Sequence, residues 1–418
     1  MAERFEADVV GIGHAGDGVV RVGEHTHHVP WTVTGDQIRV RAGEGSSLAL
    51  VEVVVASAQR ADPVCQHFGA CGGCVAQHFD APTYRSWRHD QVAAALRQRG
   101  FDDPPVEDVV AVAAGSRRRA TLAWRTNRGQ VDLGFRERGA HRIVAMTMCP
   151  ALHPDIVARL GDLRGLAARL DAAGRLDVTR CDNGLDITVE QKREPTLAMR
   201  QAMGAFAEAA DVARISWRAG QGGPAEMVIQ RSTPVVTLAG VAVALPPAAF
   251  LQPSAAGEVV LQELVTAMLA GTRRVVDLFC GCGTLSLALA QRGQVLAIDS
   301  DGEAISALRA AGGAAGGRGL SIGLQTEVRD LFRRPLQGAE LKGYDAVVFD
   351  PPRAGAAAQA AALAASKVAT VVAVSCNPAT FARDARLLVD GGFTLRRVVP
   401  IDQFVWSQHV EVAALFTR

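Results

Sequence analysis

The chain has 418 residues, too many for one ordinary hydrophobic core, and this length predicts two or three domains. Hydrophobic residues make up 49% and charged residues 21%, the composition of a globular protein rather than a disordered one. No apolar run reaches the roughly 20 residues that span a bilayer, and the amino end lacks a signal-peptide pattern, so we expect a cytoplasmic protein without membrane contact. The formal net charge of +1 does not favour nucleic-acid binding by the whole chain, so any such binding must depend on a local patch.

Residues 1–58 are predicted to form a small all-β domain. Short apolar stretches, such as residues 38–40 and 48–55, are separated by glycines, as in a compact barrel of the OB type. This segment holds four arginines and eight acidic residues, a net charge of −4. If the domain contacts RNA, we expect shape and a few contacts, rather than charge, to orient the strand.

Three cysteines follow this domain at close spacing. Five residues separate Cys65 from Cys71, and two separate Cys71 from Cys74. Thiols at this spacing can converge on one metal centre, and Cys149, which precedes Pro150, is the candidate for the fourth ligand. Four thiolates suit either an iron–sulfur cluster or a zinc ion, and the residues alone leave both open. Disulfides are not expected in a cytoplasmic chain.

Residues 59–235 are predicted to form a mixed α/β domain that carries these cysteines. Helical periodicity occurs at residues 91–96 and 156–170. Between these helices, residues 115–142 contain eight arginines and two acidic residues, a net charge of +6, with two aromatic side chains among them. Such a stretch suits phosphate contacts and base stacking, so we predict that it binds RNA, with a solvated strand face as the alternative.

Residues 236–418 are predicted to form an α/β domain that binds a nucleoside. A short apolar strand leads into the turn Phe279-Cys280-Gly281-Cys282-Gly283, whose glycines allow a ligand close to the start of the next helix. Asp299 ends the next strand, 22 residues after Asp277, where a carboxylate can accept hydrogen bonds from ribose hydroxyls. Ser286 stands where a dinucleotide-binding turn has its third glycine. A ligand without a pyrophosphate, such as S-adenosylmethionine, therefore fits better.

Two further strand ends carry reactive side chains. Asp350-Pro351-Pro352-Arg353 follows the strand at 345–349, and its prolines hold the backbone rigidly beside a reacting centre. Amino-group methyltransferases usually have an aromatic residue after these prolines, whereas arginine suits a phosphate or a carbonyl. The strand at 371–374 leads into Ser375-Cys376-Asn377-Pro378, which predicts a thiol at the carboxyl edge of the sheet. A thiol there suits a nucleophile, although a free cysteine is often only a small core residue.

The chain resembles the uracil-5 methyltransferases of ribosomal and transfer RNA. The motifs that carry the resemblance are Phe250-Leu251-Gln252, Asp277 to Thr284, Asp350 to Arg353, Ser375 to Pro378, and His409-Val410-Glu411. Residues 13–18 also resemble the turn of a TRAM domain. The family implies a multidomain protein with a TRAM (OB-like) β-barrel at 1–58, a mixed α/β domain with an iron–sulfur site at 59–235, and a Rossmann-like class I methyltransferase domain at 236–418.

The resemblance also implies roles for individual residues. Cys376 matches the family's nucleophile for carbon 6 of uracil, and Glu411 matches its general base. The residues that match or adjoin the S-adenosylmethionine site are Gln252, Phe279, Gly281, Asp299 and Asp350. The residues in the positions of the family's [4Fe–4S] ligands are Cys65, Cys71, Cys74 and Cys149. Large-subunit rRNA is the expected substrate, with tRNA as the alternative, and we expect a monomer.

The sequence departs from the family pattern at Ser254, Val405 and Ser407, where asparagine, proline and threonine are usual. Ser254 can still cap the helix that follows it. Three other interpretations are weaker. A DNA cytosine-5 methyltransferase has its nucleophile in the position that Asp350-Pro351-Pro352 holds here. An inactive RNA-binding protein would not need an intact Cys376 and Glu411. An amino-group methyltransferase usually has an aromatic residue where Arg353 stands.

Overall fold

The computed structural model describes residues 4–43, 47–220, 222–319 and 322–418. Two pieces of the predicted domain 1–58, residues 1–3 and 44–46, lie outside these ranges. The described strands form sheets of five, six, two and eight strands, in that order along the chain. The exception is the short strand at 110–111, which belongs to the eight-stranded sheet. Across the described ranges, no helix is both long enough and apolar enough to cross a membrane.

The amino-terminal strands form an antiparallel five-stranded sheet. They are β1 (Arg4–Ile12), β2 (Gly18–Val22), β3 (His25–Val29), β4 (Gln37–Ala42) and β5 (Leu48–Val55). Their order is β3-β2-β1-β4-β5, and the two outermost strands, β3 and β5, also contact each other, so the sheet curls towards closure. Side chains such as Val9, Val20 and Val40 fill its interior. The predicted strand at 48–55 is confirmed.

Helix α1 (Ala81–Arg97) connects this sheet to the rest of the chain, and the short strand β6 (Val110–Ala111) follows it. The indole Nε1 of Trp87 donates a hydrogen bond to the backbone oxygen of Gly13 at 3.0 Å. Gly16 has a φ of +84°, and a Cβ there would lie 3.2 Å from the Trp87 ring. The glycine-rich turn at 13–18 therefore packs closely against the helix.

The central domain is built on a six-stranded sheet with the order β12-β11-β10-β9-β7-β8. Its elements are β7 (Arg119–Asn127), β8 (Gln130–Gly134), α2 (Pro154–Ala158), α3 (Leu160–Ala167), β9 (Ala173–Cys181), β10 (Gly184–Gln191), α4 (Leu197–Ala209), β11 (Val212–Ala219) and β12 (Glu226–Gln230). Leucines of α3 and valines of the sheet share one apolar core. The predicted helix at 156–170 is broken at Arg159, whose φ of −95° and ψ of 1° separate α2 from α3.

The carboxyl-terminal domain is a doubly wound α/β sheet, preceded by the hairpin β13 (Val235–Leu238) and β14 (Val241–Ala244). Its elements are α5 (Ala255–Met268), β15 (Arg274–Leu278), α6 (Ser286–Ala290), β16 (Gln294–Asp299), α7 (Gly302–Gly317), β17 (Gly323–Val328), β18 (Ala346–Phe349), α8 (Ala357–Ala364), β19 (Thr370–Ser375), α9 (Pro378–Asp390), β20 (Thr394–Asp402) and β21 (Glu411–Thr417). The order is β17-β16-β15-β18-β19-β21-β20-β6, and β21 runs antiparallel to both of its neighbours. Helices cover both faces and bury two apolar layers.

The segment at 81–111 packs on the carboxyl-terminal sheet, although the predicted boundaries assign it to the central domain. Strand β6 pairs in parallel with β20, where Val110 lies opposite Ile401. Val92 and Leu96 of α1 belong to the apolar layer beneath β18 and β19. This part of the chain therefore reinforces the domain that carries the candidate active site.

Candidate active site

The candidate active site lies where β15, β16, β18 and β19 end. The strand order reverses between β15 and β18, and open α/β sheets bind ligands at the carboxyl edge beside such a reversal. Because β21 is antiparallel to β19, it begins at this same edge, with Val412 paired to Ser375. Cys376 and Glu411 therefore lie opposite each other, one residue beyond that pair.

The turn after β15 passes through the left-handed region three times, with φ of 62° at Phe279, 52° at Gly281 and 100° at Gly283. Glycine is required at 283, because a Cβ there would lie 2.3 Å from Cδ1 of Leu308. At Gly281, by contrast, no described atom lies within 4 Å of an added Cβ. Phenylalanine in this conformation is strained, a feature common at ligand sites. A ligand can approach the backbone of this turn directly.

Asp299 is fixed beside the glycine turn by two backbone N–H groups. Its Oδ2 accepts a hydrogen bond from Gly281 at 2.9 Å, and its Oδ1 accepts one from Asp301 at 2.9 Å. Each carboxylate oxygen has a second lone pair, so both can still accept a ligand hydroxyl. This geometry is compatible with the predicted ribose contact.

Phe332 is a neighbour of this site that the sequence analysis did not identify. Its ring centroid lies 5.5 Å from that of Phe279, and its side chain is 52% exposed. The exposed ring of Phe332, beside the ring of Phe279, offers a face on which a flat group such as an adenine can stack. The only sequence signal was its position two residues after Asp330, beyond the third strand of the sheet.

Four side chains form a hydrogen-bonded chain across the floor of the site. Gln252 Nε2 donates to Asp350 Oδ2 at 2.8 Å. Gln403 Nε2 donates to Gln252 Oε1 at 3.0 Å and to Glu411 Oε2 at 2.6 Å. Two buried oxygens have no partner among the described residues: the amide oxygen Oε1 of Gln403 and the second carboxylate oxygen, Oε1, of Glu411. The sequence analysis did not identify Gln403, which lies eight residues before Glu411 in the chain.

Burial disfavours the charged forms of the acidic groups in this site. It raises the pKa of Asp350 to about 7, although the hydrogen bond from Gln252 acts to lower this pKa. Burial and then the charge of Asp350 raise the pKa of Glu411 well above its usual value, and the hydrogen bond from Gln403 opposes this. Burial, Glu411 and Asp350 raise the pKa of Cys376 to about 12, with Arg353 opposing. Small changes in local charge can therefore move protons within the site.

The thiol of Cys376 differs in its setting from three other cysteines of the chain. Cys376 is partly exposed at the end of β19. Cys181, Cys280 and Cys282 are buried and pack in the apolar core. The position of Cys376 is that of a group available to a ligand.

Comparison with known proteins gives the family. An uncharacterized RNA methyltransferase of Brucella suis is 41% identical over 411 residues, which cover 97% of this chain and 96% of that protein. The 23S rRNA (uracil(1939)-C(5))-methyltransferase RlmD of Halomonas elongata is 34% identical and covers 98% of this chain and 88% of its own length. The tRNA (uracil-5-)-methyltransferase family model matches residues 318–418. The chain belongs to the RNA uracil-5 methyltransferase family.

The fold of this methyltransferase is also found in a solved structure. The tRNA (uracil-54, C5)-methyltransferase of Pyrococcus abyssi, in complex with S-adenosyl-L-homocysteine, matches with a TM-score of 0.76. The match covers 99% of this chain and 100% of that one, at 22% identity. It confirms the predicted class I methyltransferase fold. The TRAM identity of the amino-terminal sheet stays a prediction.

Two arginines of the predicted RNA-binding stretch instead support the methyltransferase site from within. Arg118 is buried and donates from Nε to the backbone oxygen of Gln252 at 3.0 Å and from Nη2 to Glu258 Oε2 at 2.6 Å. Arg119 donates from Nη1 to the backbone oxygen of Leu251 at 2.6 Å. The prediction of RNA contact therefore fails for Arg118, because a buried and paired side chain does not reach phosphate.

The loop before Glu411 is held by helix α1. Arg88 is fully buried and forms an ion pair with Asp402 at 3.0 Å. Its Nη1 also donates to the backbone oxygen of His409 at 2.8 Å, and its Nη2 donates to that of Phe404 at 3.1 Å. A guanidinium with several acceptors fixes backbone groups that are distant in sequence. The ends of this loop are therefore positioned by a helix that lies more than 300 residues earlier.

The four predicted metal-ligating cysteines line one cavity of about 480 Å³. The ligands predicted from the sequence are Cys65, Cys71, Cys74 and Cys149. Throughout the described ranges, no three His, Cys, Asp or Glu side chains are arranged to hold a single metal ion. Burial raises the pKa of Cys74 to about 12, and it also raises the pKa of Cys71 and Cys149. The four cysteines therefore share the lining of one cavity.

A second, open cavity of about 770 Å³ lies on the central domain, at the edge of the sheet. Its basic lining residues are Arg125, Arg136, His141, Arg175, Lys192 and Arg193. Asp171 and Glu190 are the acidic side chains there, and Glu190 already lies 3.6 Å from Arg175. Arg125, Lys192 and Arg193 form no ion pair with any described residue. The unpaired cations make this cavity, which we call the basic groove, suitable for phosphate groups.

Proposed function

We propose that this enzyme methylates carbon 5 of a uridine in large-subunit rRNA, and that the reaction passes through a covalent adduct of Cys376. The observation that carries the proposal is the meeting of Cys376 and Glu411 beside the glycine turn, at one edge of the sheet. A nucleophile and a base on opposite strands can act on the two neighbouring carbons of one ring.

The adduct is needed because carbon 5 of uracil is too weak a nucleophile to take a methyl group unaided. The thiolate of Cys376 bonds to carbon 6, and the electrons of the carbon 5–carbon 6 double bond move to form an enolate. Carbon 5 then attacks the methyl group, whose bond to the sulfonium sulfur breaks. Glu411 removes the proton from carbon 5, the double bond forms again, and the thiolate of Cys376 leaves.

S-adenosylmethionine supplies the methyl group on a positively charged sulfonium. The residues proposed to hold it are Phe279, Gly281 and Asp299 at the nucleoside, with Gln252 and Asp350 near the reacting methyl. The open space above Gly281 and the free lone pairs of Asp299 support this assignment. A positive charge beside Asp350 also favours the ionised forms of the acidic groups, which the low dielectric of the site otherwise suppresses.

The four cysteines are proposed to hold a [4Fe–4S] cluster, with zinc as the alternative. A zinc ion binds sulfur at about 2.3 Å, so its four ligands must lie within about 4 Å of one another. The four cysteines share the lining of one cavity of about 480 Å³, which has room for a cluster of several atoms. Cys65, Cys71, Cys74 and Cys149 would be its ligands, and the reaction above needs no redox step.

RNA as the substrate is supported by the basic groove and by the named relative from Halomonas elongata. We favour large-subunit rRNA over tRNA, because that relative acts on 23S rRNA and is similar over nearly the whole chain. A target base must leave its stack to meet Cys376 and Glu411, which is easiest in a loop. The cytoplasmic location and the monomeric state stay predictions.

The test is a transfer assay with labelled S-adenosylmethionine on separated large-subunit rRNA and tRNA, followed by nucleoside analysis. We expect label in 5-methyluridine from rRNA, and no label with the Cys376→Ala variant. Label only in tRNA would keep the chemistry and overturn the substrate. Normal turnover by Cys376→Ala would overturn the adduct. No labelled uridine from either RNA would favour an inactive RNA-binding protein.

A further inference from the structure

Gln403 occupies the centre of the hydrogen-bonded chain and has one donor group for two acceptors. Its Nε2 lies 2.6 Å from Glu411 Oε2 and 3.0 Å from Gln252 Oε1. An amide nitrogen carries two hydrogens, so each acceptor can receive one. The side chain is only 2% exposed. Both hydrogen bonds are therefore shielded from water.

The conformation of Gln403 is fixed by close packing on helix α5. A Cβ added at Gly257 would lie 2.7 Å from both Cβ and Oε1 of Gln403. Every residue except glycine at 257 would therefore displace this side chain. On the other side, the preceding residue, Asp402, is held by the ion pair with the buried Arg88. Gln403 has little freedom to turn its amide elsewhere.

The hydrogen bond from Gln403 leaves Glu411 with one fixed and one free oxygen. Oε2 is held by the amide, whereas Oε1 is buried and has no partner in the described part of the chain. Glu411 itself is 2% exposed. When one carboxylate oxygen is held, the orientation of the other oxygen and its lone pairs is also fixed. A base that removes a proton from one particular carbon atom needs such a fixed orientation.

We propose that Gln403 is a positioning residue, which aims the free oxygen of Glu411 at carbon 5 of the target base. The assignment rests on the proposed function, because it takes Glu411 as the base. Gln403 does not touch the reacting atoms and acts through Glu411. Its loss should therefore slow proton removal, the last step, more than the earlier formation of the adduct.

An amide suits this position better than other side chains of similar length. Glutamate would place a third buried carboxyl group beside Glu411 and near Asp350, and like charges in a low dielectric repel. Methionine fills a similar volume but has no donor. Gln403→Met therefore removes the hydrogen bonds while it keeps most of the packing, and it is the informative variant.

The experiment measures the enzyme–RNA adduct and the turnover of the same variants. Each variant is mixed with RNA substrate and S-adenosylmethionine, and the adduct that survives denaturation is quantified on gels. For Gln403→Met we expect about tenfold slower turnover, the effect of one lost hydrogen bond to a charged group. The fraction of enzyme trapped as adduct should rise several-fold. Glu411→Gln, which removes the base, is the positive control.

Gly257→Ala gives a second route to the same result, since it pushes the amide away and leaves its chemistry intact. It too should accumulate adduct, and thermal unfolding of both variants reports whether they fold. If Gln403→Met loses turnover without a rise in adduct, or keeps normal turnover, the assignment is overturned. If Glu411→Gln traps no adduct although Cys376 is present, the proposed mechanism itself fails, and the role of Gln403 fails with it.

Discussion

Cys376 and Glu411 lie opposite each other, one residue beyond the last pair of the antiparallel strands β19 and β21. The two residues are 35 positions apart in the chain, yet the register of one strand pair brings them to the same edge. The charge of Glu411 also raises the pKa of Cys376. Two groups that both need to be deprotonated in the proposed reaction thus oppose each other's ionisation.

The first prediction concerns pH. Burial, followed by the charges of Glu411 and Asp350, raises the pKa of Cys376 to about 12, and Arg353 opposes this rise. The proposed reaction needs the deprotonated forms of Cys376 and Glu411, and burial raises the pKa of both groups. We therefore expect the single-turnover rate to rise with pH throughout the range below the Cys376 pKa of about 12. Removing a positive charge disfavours the thiolate, so Arg353→Met should move this rise to higher pH. Arg353→Lys is the matched control, and identical profiles for the two variants would contradict the electrostatic role.

The second prediction concerns the buried ion pair of Arg118 and Glu258, which joins the central domain to helix α5. Arg118→Met leaves the Glu258 carboxylate buried without its partner, which costs about 3–5 kcal/mol in the free energy of unfolding. The second change Glu258→Gln removes that charge and should restore much of the stability. Activity should stay low in the double variant, because the backbone of Gln252 still lacks the Arg118 donor. Thermal unfolding and turnover together check this, and recovery of both would show that Arg118 acts on stability alone.

The third prediction concerns Phe332. Its ring lies 5.5 Å from that of Phe279 and is half exposed beside the glycine turn. An aromatic contact contributes about 0.5–1.5 kcal/mol, so Phe332→Ala should raise the KM for S-adenosylmethionine by about two- to tenfold. The kcat should change little, because the expected contact of Phe332 is with the adenine and not with the transferred methyl group. Phe332→Tyr should behave as the wild type does. An unchanged KM in Phe332→Ala would remove this residue from the cofactor site.

The fourth prediction links the cysteine site to the active-site loop. Directly after Cys74, the backbone N–H of Val75 donates to the oxygen of Trp406 at 2.7 Å, and that of Ala76 does so at 3.2 Å. Cys74→Ser should loosen this attachment, lower kcat, and speed hydrogen exchange at residues 404–409. Cys181→Ala, which changes a buried cysteine outside the set, is the control. If exchange in the loop stays at the wild-type rate, the cysteine site does not support the loop.

The sequence predicted the strands and the ends that carry reactive groups, because their signals are local. The apolar strand at 48–55 and the helix cap at Ser254 depend only on neighbouring residues. Ser254 Oγ accepts the N–H of Gly257 at 3.2 Å, so its departure from the family pattern keeps the cap. Hydrophobic periodicity and cap residues depend on the nearest few side chains, which a sequence displays directly.

The supports of the site could not be predicted, because they depend on partners that are distant in the chain. Gln403 contacts Gln252, 151 residues earlier, and Arg88 contacts His409, 321 residues later. A count of charges does not show whether a side chain points to solvent or to the interior. The burial of Arg118 could therefore not be predicted from the arginine-rich stretch. The break of the helix at Arg159 has no proline, and its glycine, Gly161, lies inside the helix that follows.

The fifth prediction concerns the basic groove and the salt dependence of RNA binding. Lys192 and Arg193 line this groove without an ionic partner among the described residues, so they are free to contact phosphates. Each contact adds about one unit to the slope of the logarithm of affinity against the logarithm of salt concentration. The double variant Lys192→Ala with Arg193→Ala should therefore lower that slope by one to about two units. Binding should weaken to a similar extent for different RNA sequences, because phosphate contacts carry no base information.

A matched double variant separates this effect from the loss of two positive charges anywhere on the surface. Arg318 and Lys367 are exposed on the catalytic domain and do not line the basic groove. Changing both to alanine lowers the net charge equally, and long-range attraction is largely screened beyond about 10 Å at 0.1 M salt. We expect a nearly unchanged slope for this control, measured by filter binding over a series of salt concentrations. Equal slopes for the two double variants would mean that RNA does not enter the basic groove, and that its phosphates are bound elsewhere on the enzyme.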